Sequence, residues 1–233
     1  ILFCSCSGRD FLPEEKKRAI ADGLEKSGLK FTTVPDLCGM SAKNQSALKE
    51  IGDRGEKNVV IACYPRAVKW LFAMAGIEWD TGRMHVINAR VENTERVIEQ
   101  VQSLDINGVE TDAGPLEVGG GDPWIPWFPV IDYERCTNCR QCMNFCLFGV
   151  FSEDDNGKVK VKNPSNCKNN CPACARICPA AAIIFPKCPD VPINGAEIEN
   201  EAEIREKIRI NVNEILGNDI YAALSERRKK AKK

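Results

Sequence analysis

Through the first hundred residues, short apolar runs alternate with longer stretches whose apolar side chains recur at helical spacing. ILFCSC is apolar without interruption, and PEEKKRAIADGLEKSG after it reads as an amphipathic helix with Pro13 near its first turn and Gly28 as its stop. KFTTVPD is rich in β-branched residues and predicts a second strand. SAKNQSALKEIGDRG predicts a helix with Ser41 as its N-cap. NVVIACY is a buried-type strand and PRAVKWLFAMAG a helix opened by Pro65. MHVINA is a fourth strand, and NTERVIEQVQSL a helix capped by Asn93 or Thr94. The resulting βαβαβαβα order predicts an α/β domain over residues 1–111, flavodoxin- or Rossmann-like, with a parallel sheet and right-handed crossovers.

The alternation stops at DAGPLEVGGGDPWIPWFPV, residues 112–130, where four glycines and four prolines exclude a long regular element. Trp124, Trp127 and Phe128 in this linker suit an extended strap over one of the chain's own domains, or else a partner interface. Residues 131–190 form a second domain with an internal repeat: CTNCRQCMNFC and CKNNCPACARIC are each followed by a short apolar run, FGVF or AAAIIF. EDDNGKVKV between them reads as a hairpin about Asn156 and Gly157. Residues 191–233 are expected to form a helical extension, with Ile204, Ile208, Val212 and Ile215 on one stripe, Gly217 ending it, and a second piece capped by Asn218. Six of the last eight residues, ERRKKAKK, are basic and read as a solvated helix end.

Composition changes this picture at one point. A net charge of -1 and 43% hydrophobic residues are ordinary for a globular protein, and no apolar run is long enough to cross a bilayer. No basic surface matches the tail, so no nucleic-acid partner is expected. Residues 1–3 are too few for a signal peptide, and the absence of an initiator Met leaves a processed or trimmed start open. The outstanding feature is thirteen cysteines, an odd number, in a chain too large for a disulfide-stapled scaffold. Metal ligation is the better reading, and it favours a reducing, cytoplasmic compartment. With one histidine, His85, the chain has no His-rich ligand set to offer.

Cys136, Cys139, Cys142 and Cys146 follow C-x2-C-x2-C-x3-C, and Cys167, Cys171, Cys174 and Cys178 follow C-x3-C-x2-C-x3-C with Pro179 next. Three thiolates on a tight turn reach three irons of one cubane, while the fourth points to the other cluster. The expected ligands are therefore Cys136, Cys139, Cys142 and Cys178 for one [4Fe–4S] cluster, and Cys167, Cys171, Cys174 and Cys146 for the other. Four-cysteine zinc sites instead pair two C-x2-C knuckles across a longer spacer. The region, about residues 130–187, resembles the bacterial two-[4Fe–4S] ferredoxins, which implies an α+β ferredoxin-like fold and one-electron transfer. It departs from that pattern at Leu147, where the family has proline, and by one extra residue between Cys167 and Cys171.

Cys4, Cys6, Cys38 and Cys63 lie at or just beyond the C-terminal ends of the first three predicted strands. In a sheet ordered 2-1-3 these strands are neighbours, and their C-terminal edge is where such folds bind ligands. Four converging thiols suit a cubane, whereas buried core cysteines and a C-x-C redox pair are the alternatives. CSCSG, DLCGMSAKNQSALKEI, NVVIACYPRAVKWLFAMAGIEW and MHVINAR resemble the N-terminal domain of the heterodisulfide reductase A subunit over about residues 1–105. The resemblance implies a third [4Fe–4S] cluster on these four cysteines. That family continues into a flavin domain with a G-x-G-x-x-G fingerprint, whereas Gly119, Gly120 and Gly121 sit in the linker, so no flavin is expected on this chain. Cys188 in PKCPD reads as a free or packed cysteine.

No acid–base or nucleophile–base pair emerges from the sequence. The expectation is a non-catalytic electron-transfer subunit of an oxidoreductase complex in anaerobic metabolism, docked to a flavoprotein, hydrogenase-type or molybdenum/tungsten subunit. A redox enzyme acting at the N-terminal site, or a redox-sensing regulator, are the other readings.

Overall fold

The computed structural model describes residues 1–6, 11–53, 57–104, 124–202, 204 and 206. β1 (Leu2–Cys4), α1 (Glu14–Lys26), β2 (Thr32–Val34), α2 (Leu37–Lys43) and α3 (Gln45–Asp53) are followed by β3 (Asn58–Ala62), α4 (Pro65–Met74), β4 (Met84–Asn88) and α5 (Thr94–Ser103). The four strands form one parallel sheet ordered β2-β1-β3-β4. Its apolar residues divide by parity, as the pleat requires. Phe3, Val59 and Ile61 pack with Ile20 and Leu24 of α1 and Val97 and Val101 of α5. Leu2, Cys4, Val60 and Ala62 pack with Leu37, Met40, Leu48, Val68, Leu71 and Phe72 of α2, α3 and α4. The sheet is thus covered on both faces, which is why its strands read as near-continuous apolar runs.

Local chemistry sets the helix ends. Asn93 caps α5 through a bond from the Arg96 N–H at 2.8 Å, and Gly28 takes φ +69° just past α1. The Ser41 cap expected from sequence is corrected. Two helices stand there, split at Asn44, and Asp36 caps the first by accepting from Cys38 N–H at 2.9 Å and Gly39 N–H at 3.2 Å. Ser41 lies inside α2, fully buried, and its hydroxyl donates to the Leu71 carbonyl at 3.0 Å. A carboxylate one position before the helix accepts two N–H groups at once, so it wins over a serine whose hydroxyl is already engaged.

The second half contains β5 (Val130–Ile131), α6 (Gln141–Phe145), β6 (Phe151–Glu153), β7 (Val159–Val161), α7 (Ala173–Arg176) and β8 (Ile183–Ile184). β5 pairs antiparallel with β8, and β6 with β7 around Gly157 at φ +72°. This is a small ferredoxin-like unit with a core of its own. Two consecutive aromatics join it to the sheet domain. Trp127 packs on Phe185 at 5.3 Å in the second core, while Phe128 is buried in the first. Most of the linker and nearly all of the predicted C-terminal helices lie outside the described residues. Among the described residues, no helix is long and apolar enough to cross a membrane.

The two units meet along α4. Arg66 donates to Asp132 at 2.7 Å and to the Ala181 carbonyl at 2.6 Å, and Trp70 meets Tyr133 edge-on at 5.7 Å. Gly195 has φ +95°, and a Cβ there would stand 2.5 Å from the Ala67 Cβ and 3.0 Å from the Ala67 nitrogen. Neither backbone can yield cheaply. Gly195→Ala is expected to destabilise the protein by about 2–4 kcal/mol, combining left-handed strain with overpacking. An anaerobic thermal melt that left the midpoint unchanged would contradict this close approach.

Candidate redox centres

The ferredoxin unit gathers its eight cysteines into two groups. Cys142 lies within electrostatic range of Cys178, Cys136 and Cys139. Cys174 lies within range of Cys167, Cys146 and Cys171, and Cys167 within range of Cys171 and Cys146. Each group therefore takes three thiols from one repeat and the fourth from the other. Cys174 also feels Cys142, so the groups adjoin. Burial pushes the Cys142 and Cys167 thiols up to about 12, neighbouring thiols adding to the rise.

The loops are held by polar contacts around them. Asn138, at φ +55°, accepts from Val159 N–H and donates to the Gly157 carbonyl, both at 2.9 Å, tying the first cysteine loop to the hairpin. Tyr133 donates to the Val159 carbonyl at 3.0 Å, and burial raises its hydroxyl to about 12 with Cys136 contributing. The Ala182 N–H donates to Cys178 Sγ at 3.3 Å, the kind of contact that tunes a ligating sulfur. Leu147, at the position of the first departure from the ferredoxin pattern, is 91% exposed beside Cys146.

At the sheet domain's C-terminal edge the structure brings Cys4, Cys6, Cys38 and Cys63 together. Cys4 feels Cys6 and Cys63, and Cys38 feels Cys63 and Cys6. Burial raises all four thiols, Cys63 to about 12. The Leu37 N–H donates to Cys4 Sγ at 3.4 Å, and the Ser5 N–H to the Val34 carbonyl at 2.9 Å, so the C-S-C turn is pinned to the exit of β2. Cys6 adopts φ +50°, a conformation that costs a non-glycine residue about 1–3 kcal/mol and is typical of sites more than of plain core.

Among the described residues, no three Cys, His, Asp or Glu side chains are gathered as closely as one metal ion requires. A cubane spreads its ligands, one thiolate to each iron, around a larger body than a single ion. All thirteen cysteines are free thiols. Three all-thiol quartets, each half-buried or better in most of its members, suit that donor demand. Cys188 joins none of them. It is 2% exposed and packs in the ferredoxin core.

Three charged groups around the N-terminal quartet were not singled out from sequence. Arg90, beyond β4, acts on Cys6 and Cys63, stands 4.1 Å over Phe11, and donates to the Pro186 carbonyl at 3.0 Å. Asp36 and Lys187 form a buried ion pair across the domain boundary. Asp36 had a readable signal, an acidic residue one position before an apolar helix. Lys187 had none.

Comparison with known proteins bears on the second half. Residues 128–179 match the family model of the 4Fe–4S dicluster domain. An uncharacterized ferredoxin of Methanocaldococcus jannaschii is 52% identical over 63 residues, 27% of this chain and 42% of the relative. The pyruvate synthase subunit PorD of the same organism is 38% identical over 57 residues, 22% of this chain and 66% of the relative. The chain thus spans less than two thirds of either relative, and it carries a ferredoxin-type 4Fe–4S dicluster domain.

Proposed function

We propose that this chain is the iron–sulfur electron-transfer subunit of a multi-subunit oxidoreductase, relaying single electrons through three [4Fe–4S] clusters. In this reading Cys136, Cys139, Cys142 and Cys178 hold one, and Cys167, Cys171, Cys174 and Cys146 hold a second. Cys4, Cys6, Cys38 and Cys63 hold the third. A bound cubane supplies reversible one-electron storage at a potential that the protein adjusts.

The chain's own residues do the adjusting. N–H groups of Leu37 and Ala182 bond to sulfur, and Cys4, Cys38, Cys142, Cys174 and Cys178 are buried. The observation that carries the reading is the mutual proximity of four thiols at the sheet edge, beside a dicluster domain docked through Arg66. The likeness of the N-terminal motifs to the heterodisulfide reductase A subunit supports the third cluster. Similarity to a pyruvate synthase subunit supports a place in a complex. A flavoprotein, hydrogenase-type or molybdenum/tungsten subunit is the partner this reading proposes. The exposed Leu147 beside Cys146 offers such a partner an apolar contact next to one centre.

Iron and acid-labile sulfide, quantified after anaerobic purification and accompanied by EPR of the reduced protein, test this directly. About 12 irons per chain are expected. About 8 would restrict the relay to the ferredoxin pair, and zinc in place of iron would remove it altogether.

A further inference from the structure

Lys187 is 2% exposed, and a lysine is almost never buried without a reason. It stands just after β8, between Pro186 and Cys188, yet its ammonium pairs with Asp36 of the sheet domain, itself 6% exposed. A buried ion pair is a poor source of stability, because desolvation of both groups offsets their attraction. Packing therefore does not account for the choice of lysine here.

Its surroundings do. Asp36 divides its carboxylate: Oδ1 accepts from the Cys38 and Gly39 N–H groups, and Oδ2 faces Lys187. The ion pair thus sits beside Cys38, and its charges reach Cys6 as well. A small cavity between the domains is lined by Cys38 on one side and by Trp127, Phe185 and Lys187 on the other. The ferredoxin unit therefore packs against Cys38 and brings a cation with it.

We propose that Lys187 is a positioning residue of the N-terminal redox centre, supplied across the domain boundary to offset its negative charge. The proposal rests on the reading that Cys4, Cys6, Cys38 and Cys63 hold a cluster. Four thiolates on a cubane leave a net negative centre, and reduction adds one more charge. A fixed cation nearby favours the reduced state and so raises the potential, while a fixed carboxylate lowers it. Lys187 and Asp36 then pull the same centre in opposite directions. A merely structural ion pair would not do this, since breaking it from either side would have one common effect.

The test is an EPR-monitored redox titration of the full chain, purified anaerobically, with iron counted in each variant. Lys187→Met is expected to move the midpoint of the N-terminal centre to more negative values, and Asp36→Asn to more positive ones. The amide keeps a cap acceptor for α2. In both variants the two ferredoxin centres are expected to shift less. Shifts in the same direction, or no shift with about 12 irons retained, would overturn the role of Lys187 and leave the cluster standing. A wild-type protein with about 8 irons would instead overturn the cluster reading and this inference with it. Should Lys187→Met lose the third cluster, Lys187→Arg decides. Retention of iron and of a near-native midpoint supports a charge role, and loss in Lys187→Arg too assigns Lys187 to packing and ends the proposal.

Discussion

Removing the thiols of Cys6 and Cys63 together is expected to lower the iron content from about 12 to about 8 per chain and to leave the spectra of the ferredoxin pair in place. These two members of the quartet are the informative ones. Cys4 and Cys38 are buried in the core of the sheet domain, where truncation to alanine removes packed atoms as well as a ligand. Cys6 and Cys63 are half-buried, beyond the strand ends, so the double alanine variant costs little packing. It leaves two thiols, one at the end of β1 and one in α2, too few for a stable cubane. Cys188→Ala is the matched control: another free thiol, buried in the ferredoxin core and outside every quartet, whose loss is expected to leave all the iron bound. About 8 irons in the wild type and in the double variant alike would show that the N-terminal thiols are ordinary core and edge cysteines. Loss of all iron would show that they fold the chain instead of binding a separate centre.

Much of this arrangement was legible in the sequence because it is carried by local patterns. The parity of Leu2, Phe3 and Cys4, repeated in Val59, Val60 and Ile61, marks strands buried on both faces, and the βα alternation marks a parallel sheet. Sheet order then brings Cys4, Cys6, Cys38 and Cys63 to one edge. The ferredoxin repeat announces itself through cysteine spacing alone. What the sequence hides is long-range and singular. Arg66 meets Ala181, Arg90 meets Pro186, and Asp36 meets Lys187, each pair about a hundred residues or more apart and without periodicity. Trp127 and Phe128 look alike in the linker, yet they enter different cores. The misplaced Ser41 cap has a related cause: the hydroxyl's true acceptor, the Leu71 carbonyl, comes from another helix thirty residues on.

Arg66 is the residue on which the docking of the ferredoxin unit to the sheet domain most depends, and Arg66→Met is expected to cost about 3–5 kcal/mol. Its partner Asp132 is 3% exposed, so the substitution leaves a carboxylate in the interface without its guanidinium. Asp132 also organises the first cysteine loop, since its backbone carbonyl accepts from the Cys136 N–H at 2.9 Å and its N–H donates to the Ala182 carbonyl at 2.8 Å. The same guanidinium holds the Ala181 carbonyl, three residues beyond Cys178. One side chain thus braces the start and the end of one ferredoxin quartet, and it stands three residues after Cys63 of the N-terminal quartet. In an anaerobic melt of the loaded protein this corresponds to a midpoint lower by about 6–20 °C. Arg66→Lys is expected to recover only part of the loss, because an ammonium cannot reproduce the planar fork that reaches carboxylate and carbonyl together. A melt of Arg66→Met within about 2 °C of wild type would mean that the units are held by their apolar contacts alone. The Lys187–Asp36 pair would then have to keep its place beside Cys38 without this brace.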